Sequence, residues 1–113
     1  MSTYRVGLVG FGYIGKVHAF AHRNLPFFFG SLPFSTQLVR VCTGHADSAR
    51  AAGEFLGVEG VTDFRAVTEA PDIDVVHICT PNNLHCEALL SAMAHGKHIY
   101  CDKPLTATLE EAE

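Results

Sequence analysis

The sequence predicts a doubly wound α/β fold, a mainly parallel sheet of about five strands in the order 3-2-1-4-5 with helices on both faces. Three observations carry that expectation. Short apolar, β-branched runs recur along the chain, stretches with helical spacing separate them, and a glycine-rich turn joins the first run to the first helix.

The runs are residues 4–9, 38–42, 75–79 and 98–101, each too short for a helix and apolar enough for a strand buried on both faces. Ile14, Val17, Ala21 and Leu25 recur at helical spacing after the first run, residues 46–56 form a second helix, and Leu84, Ala88, Ala92 and Met93 mark a third. Asn82 or Asn83 is placed to cap that third helix, and Gly96 to stop it. A weaker unit fits before it, a short strand near Val61 and a short helix over residues 64–70 closed by Pro71. Residues 24–36, with Pro26, Phe27, Phe28, Phe29, Gly30 and Pro33, read as a partly buried loop too broken for a helix. Residues 106–113 read as the start of a helix that the chain does not finish, so the unit is expected to be one domain, 1–113, incomplete at its C-terminus.

With 113 residues and 48% apolar composition, the chain can bury one core of ordinary size. The net charge of −4 and the lack of a basic run leave nucleic-acid binding without its electrostatic source. No apolar stretch approaches the roughly 20 residues that cross a bilayer, and the N-terminus does not read as a signal peptide, so a cytoplasmic protein with no membrane partner is expected. Cys42, Cys79, Cys86 and Cys101 show neither C-x-x-C spacing nor disulfide density, which favours reduced thiols and no structural metal.

Gly10-Phe11-Gly12-Tyr13-Ile14-Gly15 is G-x-G-x-x-G, set directly between a strand and a helix. Gly10 allows the tight turn, Gly12 removes a Cβ that would meet a pyrophosphate, and Gly15 lets helix and strand approach closely. Phosphates then sit at a helix N-terminus, where unpaired N–H groups and the macrodipole stabilise an anion. This is the Rossmann signature for NAD(P). An acidic residue after the second strand would bind the ribose 2′-hydroxyl, but the chain reads Cys42-Thr43-Gly44-His45 there. Thr43, His45 and Arg50 offer donors and no carboxylate repels a 2′-phosphate, so the reading leans toward NADP.

After the run at 75–79 stands Thr80-Pro81-Asn82-Asn83-Leu84-His85, and after the run at 98–101 stands Asp102-Lys103-Pro104-Leu105. With the glycine motif before them, these blocks resemble the Gfo/Idh/MocA oxidoreductases over essentially the whole chain. The resemblance implies that Pro81 and Asn82 line the nicotinamide and its ribose, that His85 lies near them, and that Lys103 reaches the reaction centre. It also implies a cis Lys103–Pro104 peptide. Asp102 stands where the family more often has Glu, and is a supporting residue. Burial of Lys103 beside a cofactor would bring its pKa toward the working pH and suit it to hydrogen-bond a reacting hydroxyl.

The implied activity is hydride transfer between nicotinamide and a hydroxyl-bearing carbon of a small-molecule substrate, a sugar, cyclitol or related polyol. It resides in a full-length protein with a second α/β domain, expected to form a homo-oligomer. Two alternatives stand beside it: an NAD-dependent glycoside hydrolase of the same family, and a non-catalytic NAD(P)-binding sensor or scaffold, which Lys103 argues against. His18 and His22, spaced i, i+4, suggest a metal pair but lack a third ligand in sequence. Cys101 reads as strand-end packing rather than a nucleophile, with no histidine tied to it by motif. His45, His77, His95 and His98 show no pattern as a set.

Overall fold

The computed structural model describes residues 2–113. Strand β1 (Ser2–Val9) leads into helix α1 (Tyr13–Phe28), β2 (Phe34–Cys42) into α2 (Ala46–Leu56), and β3 (Glu59–Val61) into α3 (Arg65–Thr68). Strand β4 (Val75–Ile78) continues through a 3₁₀ turn (Asn82–Leu84) into α4 (His85–Ala94), and β5 (His98–Cys101) precedes α5 (Leu109–Ala112). The five strands pair in parallel in the order β3-β2-β1-β4-β5. This is the order and the doubly wound fold that the sequence predicts.

Because strand side chains alternate, the sheet buries a layer on each face. Val6 and Leu8 of β1 pack with Ala19 of α1, Leu38 and Val41 of β2, and Ala52 and Leu56 of α2. Val9, on the other face, packs with Val67 of α3, Val76 and Ile78 of β4, and Ala88 and Ala92 of α4. At the opposite end from the strand C-termini, Arg5 grips Asp74 through 3.1 Å contacts and holds its carboxyl at about 2.

Helix α2 and strand β5 fall where the sequence puts them, and Gly96 ends α4 with φ +67, its neighbour Lys97 N–H donating back to Ala92 O at 3.0 Å. A capping box between Thr108 and Glu111 starts α5, matching the helix start read there. Three expectations need correction. Residues 24–28 and 34–36 are not loop: α1 runs through Pro26 to Phe28, Phe29 N–H closes it on Leu25 O at 2.9 Å, and β2 already begins at Phe34. Proline this close to the end removes one hydrogen bond of the last turns and leaves the earlier ones intact. Nor are the phenylalanines partly buried, since Phe27 is 81% exposed and Phe28 69%. Finally, neither Asn82 nor Asn83 caps α4 with its side chain; both belong to the 3₁₀ turn.

Candidate functional site

The loops that leave β1, β2 and β4 meet at the C-terminal edge of the sheet, where the strand order reverses between β1 and β4 and open α/β sheets bind ligands. They frame a cleft of about 700 Å³ lined by Gly10, Phe11, Gly12, Tyr13, Ile14, Thr43, Thr80, Pro81 and Asp102. His45, Ser48, Thr62, Phe64, Leu84 and Glu87 also line it.

Gly10 is the junction. Its φ is +100, its N–H donates to Cys42 O at 2.8 Å, and a Cβ there would lie 2.7 Å from Cys79 O. The turn is thereby pinned to β2 and β4 at once, and a side chain would break both contacts. At Gly15 a Cβ would run into the Gly10 carbonyl, so α1 rests directly on the turn. Gly12 differs: nothing lies within 4 Å of its Cβ position, which opens on solvent in the cleft. The protein itself does not forbid a side chain at Gly12; only a ligand lying over the turn would.

Two further observations fit a dinucleotide. Helix α1 begins without any side-chain cap, leaving its first N–H groups for an acceptor. The Thr80 hydroxyl, which borders the cleft, is buried with no partner, an arrangement that costs free energy unless a ligand atom satisfies it. The turn after β2 is less open than the sequence suggests. Thr43 Oγ1 donates to His45 O at 3.1 Å and lies 2.6 Å from Ser48 Oγ, while Arg50 makes an exposed pair with Asp47 at 3.1 Å. Arg50, counted among the donors in the sequence, is not among the residues that line the cleft.

Other motif residues sit beside the cleft rather than on it. Gly15 lies beneath the turn, and Asn82 stands exposed in the 3₁₀ turn. His85 is fully buried, its Nε2 2.9 Å from Thr80 O and its Nδ1 2.9 Å from Pro104 O, so it faces two backbone carbonyls and not the cleft. Lys103 is exposed, not buried, on the loop after β5, its backbone N–H donating to Asp102 Oδ1 at 2.9 Å. It lines a second depression of about 440 Å³, and Asp102 borders both that depression and the main cleft. The Lys103–Pro104 peptide is cis, as the resemblance implies.

The sequence missed a histidine cluster. His77, on the same face of the sheet as Leu8, lies under α1 with Nδ1 2.8 Å from His18 Nδ1 and Nε2 2.8 Å from His22 Nε2. Its ring stacks on Tyr100, and the Thr36 hydroxyl meets His22 Nδ1 at 3.0 Å. Burial first, then His22 and His18, depress His77 to about 4, which holds that ring neutral. The i, i+4 pair on α1 thus finds its partners on β4 and β2. Cys101 also has a histidine beside it, His85 Nδ1 at 3.5 Å, but burial and Asp102 push its thiol up, against the thiolate that a nucleophile needs.

The family model for the Gfo/Idh/MocA oxidoreductases, described as an oxidoreductase family with an NAD-binding Rossmann fold, matches residues 4–113. Levoglucosan dehydrogenase of Pseudarthrobacter phenanthrenivorans is 40% identical over 100% of this chain and 29% of its own length. The scyllo-inositol 2-dehydrogenase (NADP(+)) of Bacillus subtilis is 30% identical over 100% of this chain and 29% of its own. A solved levoglucosan dehydrogenase in complex with NADH and L-sorbose superposes with a TM-score of 0.92 at 40% identity, over 99% of this chain and 30% of that one. The chain thus spans about 30% of the length of the proteins it matches.

Proposed function

This chain belongs to the Gfo/Idh/MocA oxidoreductase family, and from that premise we propose that it is the cofactor-binding portion of an NAD(P)-dependent dehydrogenase acting on a sugar, cyclitol or related polyol. The observation that carries the reading is the cleft itself: a turn of fixed shape at Gly10, open space over Gly12, an uncapped helix start and the unpartnered Thr80 hydroxyl. The first N–H groups of α1 would hold the pyrophosphate, and Thr80 and Pro81 would border the nicotinamide end. When bound, the nicotinamide supplies the redox chemistry by accepting or returning a hydride. Lys103, next to Asp102 at the end of the cleft, would hydrogen-bond the reacting hydroxyl and take or return its proton.

The polyol class draws support from relatives named for levoglucosan and scyllo-inositol. Their names and complexes include both cofactors, NADH in one case and NADP(+) in the other. For this chain a lean toward NADP rests on the missing carboxylate in the turn 43–45 alone, because Arg50 is engaged elsewhere. We place the enzyme in the cytoplasm as a homo-oligomer; no helix among the described residues is long and apolar enough to cross a membrane. The test uses the intact protein that carries this chain, mixed with NAD+ or NADP+ and a panel of sugars, cyclitols and polyols. Reduced nicotinamide should accumulate with at least one of them. Tight cofactor binding with no turnover across the panel would overturn the dehydrogenase reading.

A further inference from the structure

Among the described residues only Thr68, His77 and His85 are buried polar side chains, and His85 is fully buried although Pro81 to Leu84 just before it are exposed. Its ring reaches two loops that are far apart in sequence. Nε2 lies 2.9 Å from Thr80 O, five residues away on the loop after β4. Nδ1 lies 2.9 Å from Pro104 O and 3.3 Å from Leu105 O, on the loop after β5. Either ring tautomer donates to one of these loops, and a ring protonated at both nitrogens donates to both.

Among the described residues, the loop after β5 has few other ties. Asp102 N–H donates to Ile78 O at 3.0 Å, and the Lys103 N–H bond to Asp102 is local. Beyond them, carbonyls 104 and 105 meet the body of the domain through the His85 ring and a 3.9 Å contact from Cys101 Sγ. A neutral ring donates from one nitrogen only, so the imidazole hydrogen-bonds one loop and packs against the other, and in either tautomer its buried bulk sets the spacing between Thr80, at the cleft wall, and the turn that carries Lys103.

We propose that His85 is a positioning residue, a buried clamp that sets the Lys103 loop against the Thr80 loop and so aims the lysine at the reacting hydroxyl. The inference rests on the catalytic assignment of Lys103 above. The clamp acts through backbone carbonyls and touches neither cofactor nor substrate. A small displacement of a catalytic group can cost about a hundredfold in rate while leaving distant binding contacts unchanged. Loss of the clamp should therefore appear in kcat and not in the KM for cofactor.

The test compares wild type with His85→Leu, which fills the space without donors, and His85→Asn, which keeps a polar end too short to span both loops. Each is made in the intact protein beside a Lys103→Ala control. Both His85 variants should lose about ten- to a hundredfold in kcat with cofactor KM within about threefold. Amides 103–106 should exchange faster with deuterium while the strands keep their protection. If His85→Leu does not fold, His85→Asn carries the comparison by the same two readouts. Wild-type kcat together with wild-type exchange in a folded variant overturns the clamp. Full activity of Lys103→Ala instead overturns the assignment of the lysine, and the exchange of the two loops then still decides whether His85 ties them.

Discussion

The two ends of the cleft are held by different physics. At the glycine turn, backbone rests on backbone: Gly10 against Cys79 O and Cys42 O, Gly15 against the Gly10 carbonyl. At the Lys103 loop, an exposed segment is tied by the Asp102 N–H bond to Ile78 O and by a buried imidazole that meets carbonyls 104 and 105. Close backbone contact tolerates no side chain and leaves no freedom, which suits a site that must present the same N–H groups at all times. A hydrogen-bonded loop keeps a long side chain in range while allowing adjustment, which suits proton transfer.

The comparison breaks most clearly at Lys103. Lys103→Ala in the intact protein should lower kcat by about 10²- to 10⁴-fold, the range for a positioned acid/base group, with cofactor affinity within a fewfold of wild type. Steady-state kinetics with the best polyol, alongside a fluorescence titration with reduced cofactor, separates the two. Equal losses in affinity and kcat would mean that the loop serves binding as much as chemistry.

Gly12→Val tests the other end. Because nothing lies within 4 Å of that Cβ position, the variant should fold, losing only the roughly 1 kcal/mol that a β-branched residue costs at a helix N-cap. A valine over the turn should nonetheless weaken NADH and NADPH by about ten- to a hundredfold, since the branched side chain occupies the space a pyrophosphate would take. Unchanged affinity in the folded variant would show that the phosphates lie elsewhere.

Legibility in the sequence follows the same division. Strand order, the Gly10 turn and the C-terminal end of α4 were readable because backbone constraints leave a local mark, a glycine where φ is positive or a Cβ is excluded. Contacts made across the sheet leave none. His77 shows no pattern until β4 brings it under His18 and His22, and the burial of His85 is invisible in a segment whose neighbours are exposed. Phe64, just before α3, and Glu87 of α4 reach the cleft by topology alone, although the rule that ligands bind at strand C-termini could have nominated the residues after β3. Pro26 misled because a helix breaker two residues from a helix end breaks almost nothing.

At the turn after β2, Thr43→Asp should shift the NADP-to-NAD preference toward NAD by about tenfold if that turn borders the ribose. The new carboxylate accepts from a 2′-hydroxyl and repels a 2′-phosphate, worth about 1.4 kcal/mol. The ratio of kcat/KM values for the two cofactors reads it. An unchanged ratio would show that the Thr43–Ser48 hydroxyl pair does not border the ribose.

The smallest effect concerns acid. Protonating His77 would place a cation between α1 and β4, the two elements that carry Gly15 and lead into Thr80, facing His18 and His22 on α1 and Tyr100 on β5. Its folded pKa, about 4, lies below the ordinary 6.5, so between those values the unfolded chain binds the extra proton and stability falls as pH falls. The contribution is fully present above pH 6.5 and gone below about 4. Because His18 and His22 are half-exposed and can turn toward water, the loss should be on the order of 1 kcal/mol rather than the full shift. Urea midpoints at pH 7 and pH 5 should therefore differ more for wild type than for His77→Phe, which removes the titrating ring and keeps the stack on Tyr100. The two-ended picture adds a second expectation, that cofactor affinity falls at pH 5 while the exchange of amides 103–106 does not change. If the Lys103 loop loosens together with the turn, the two ends of the cleft are mechanically one unit and the comparison fails.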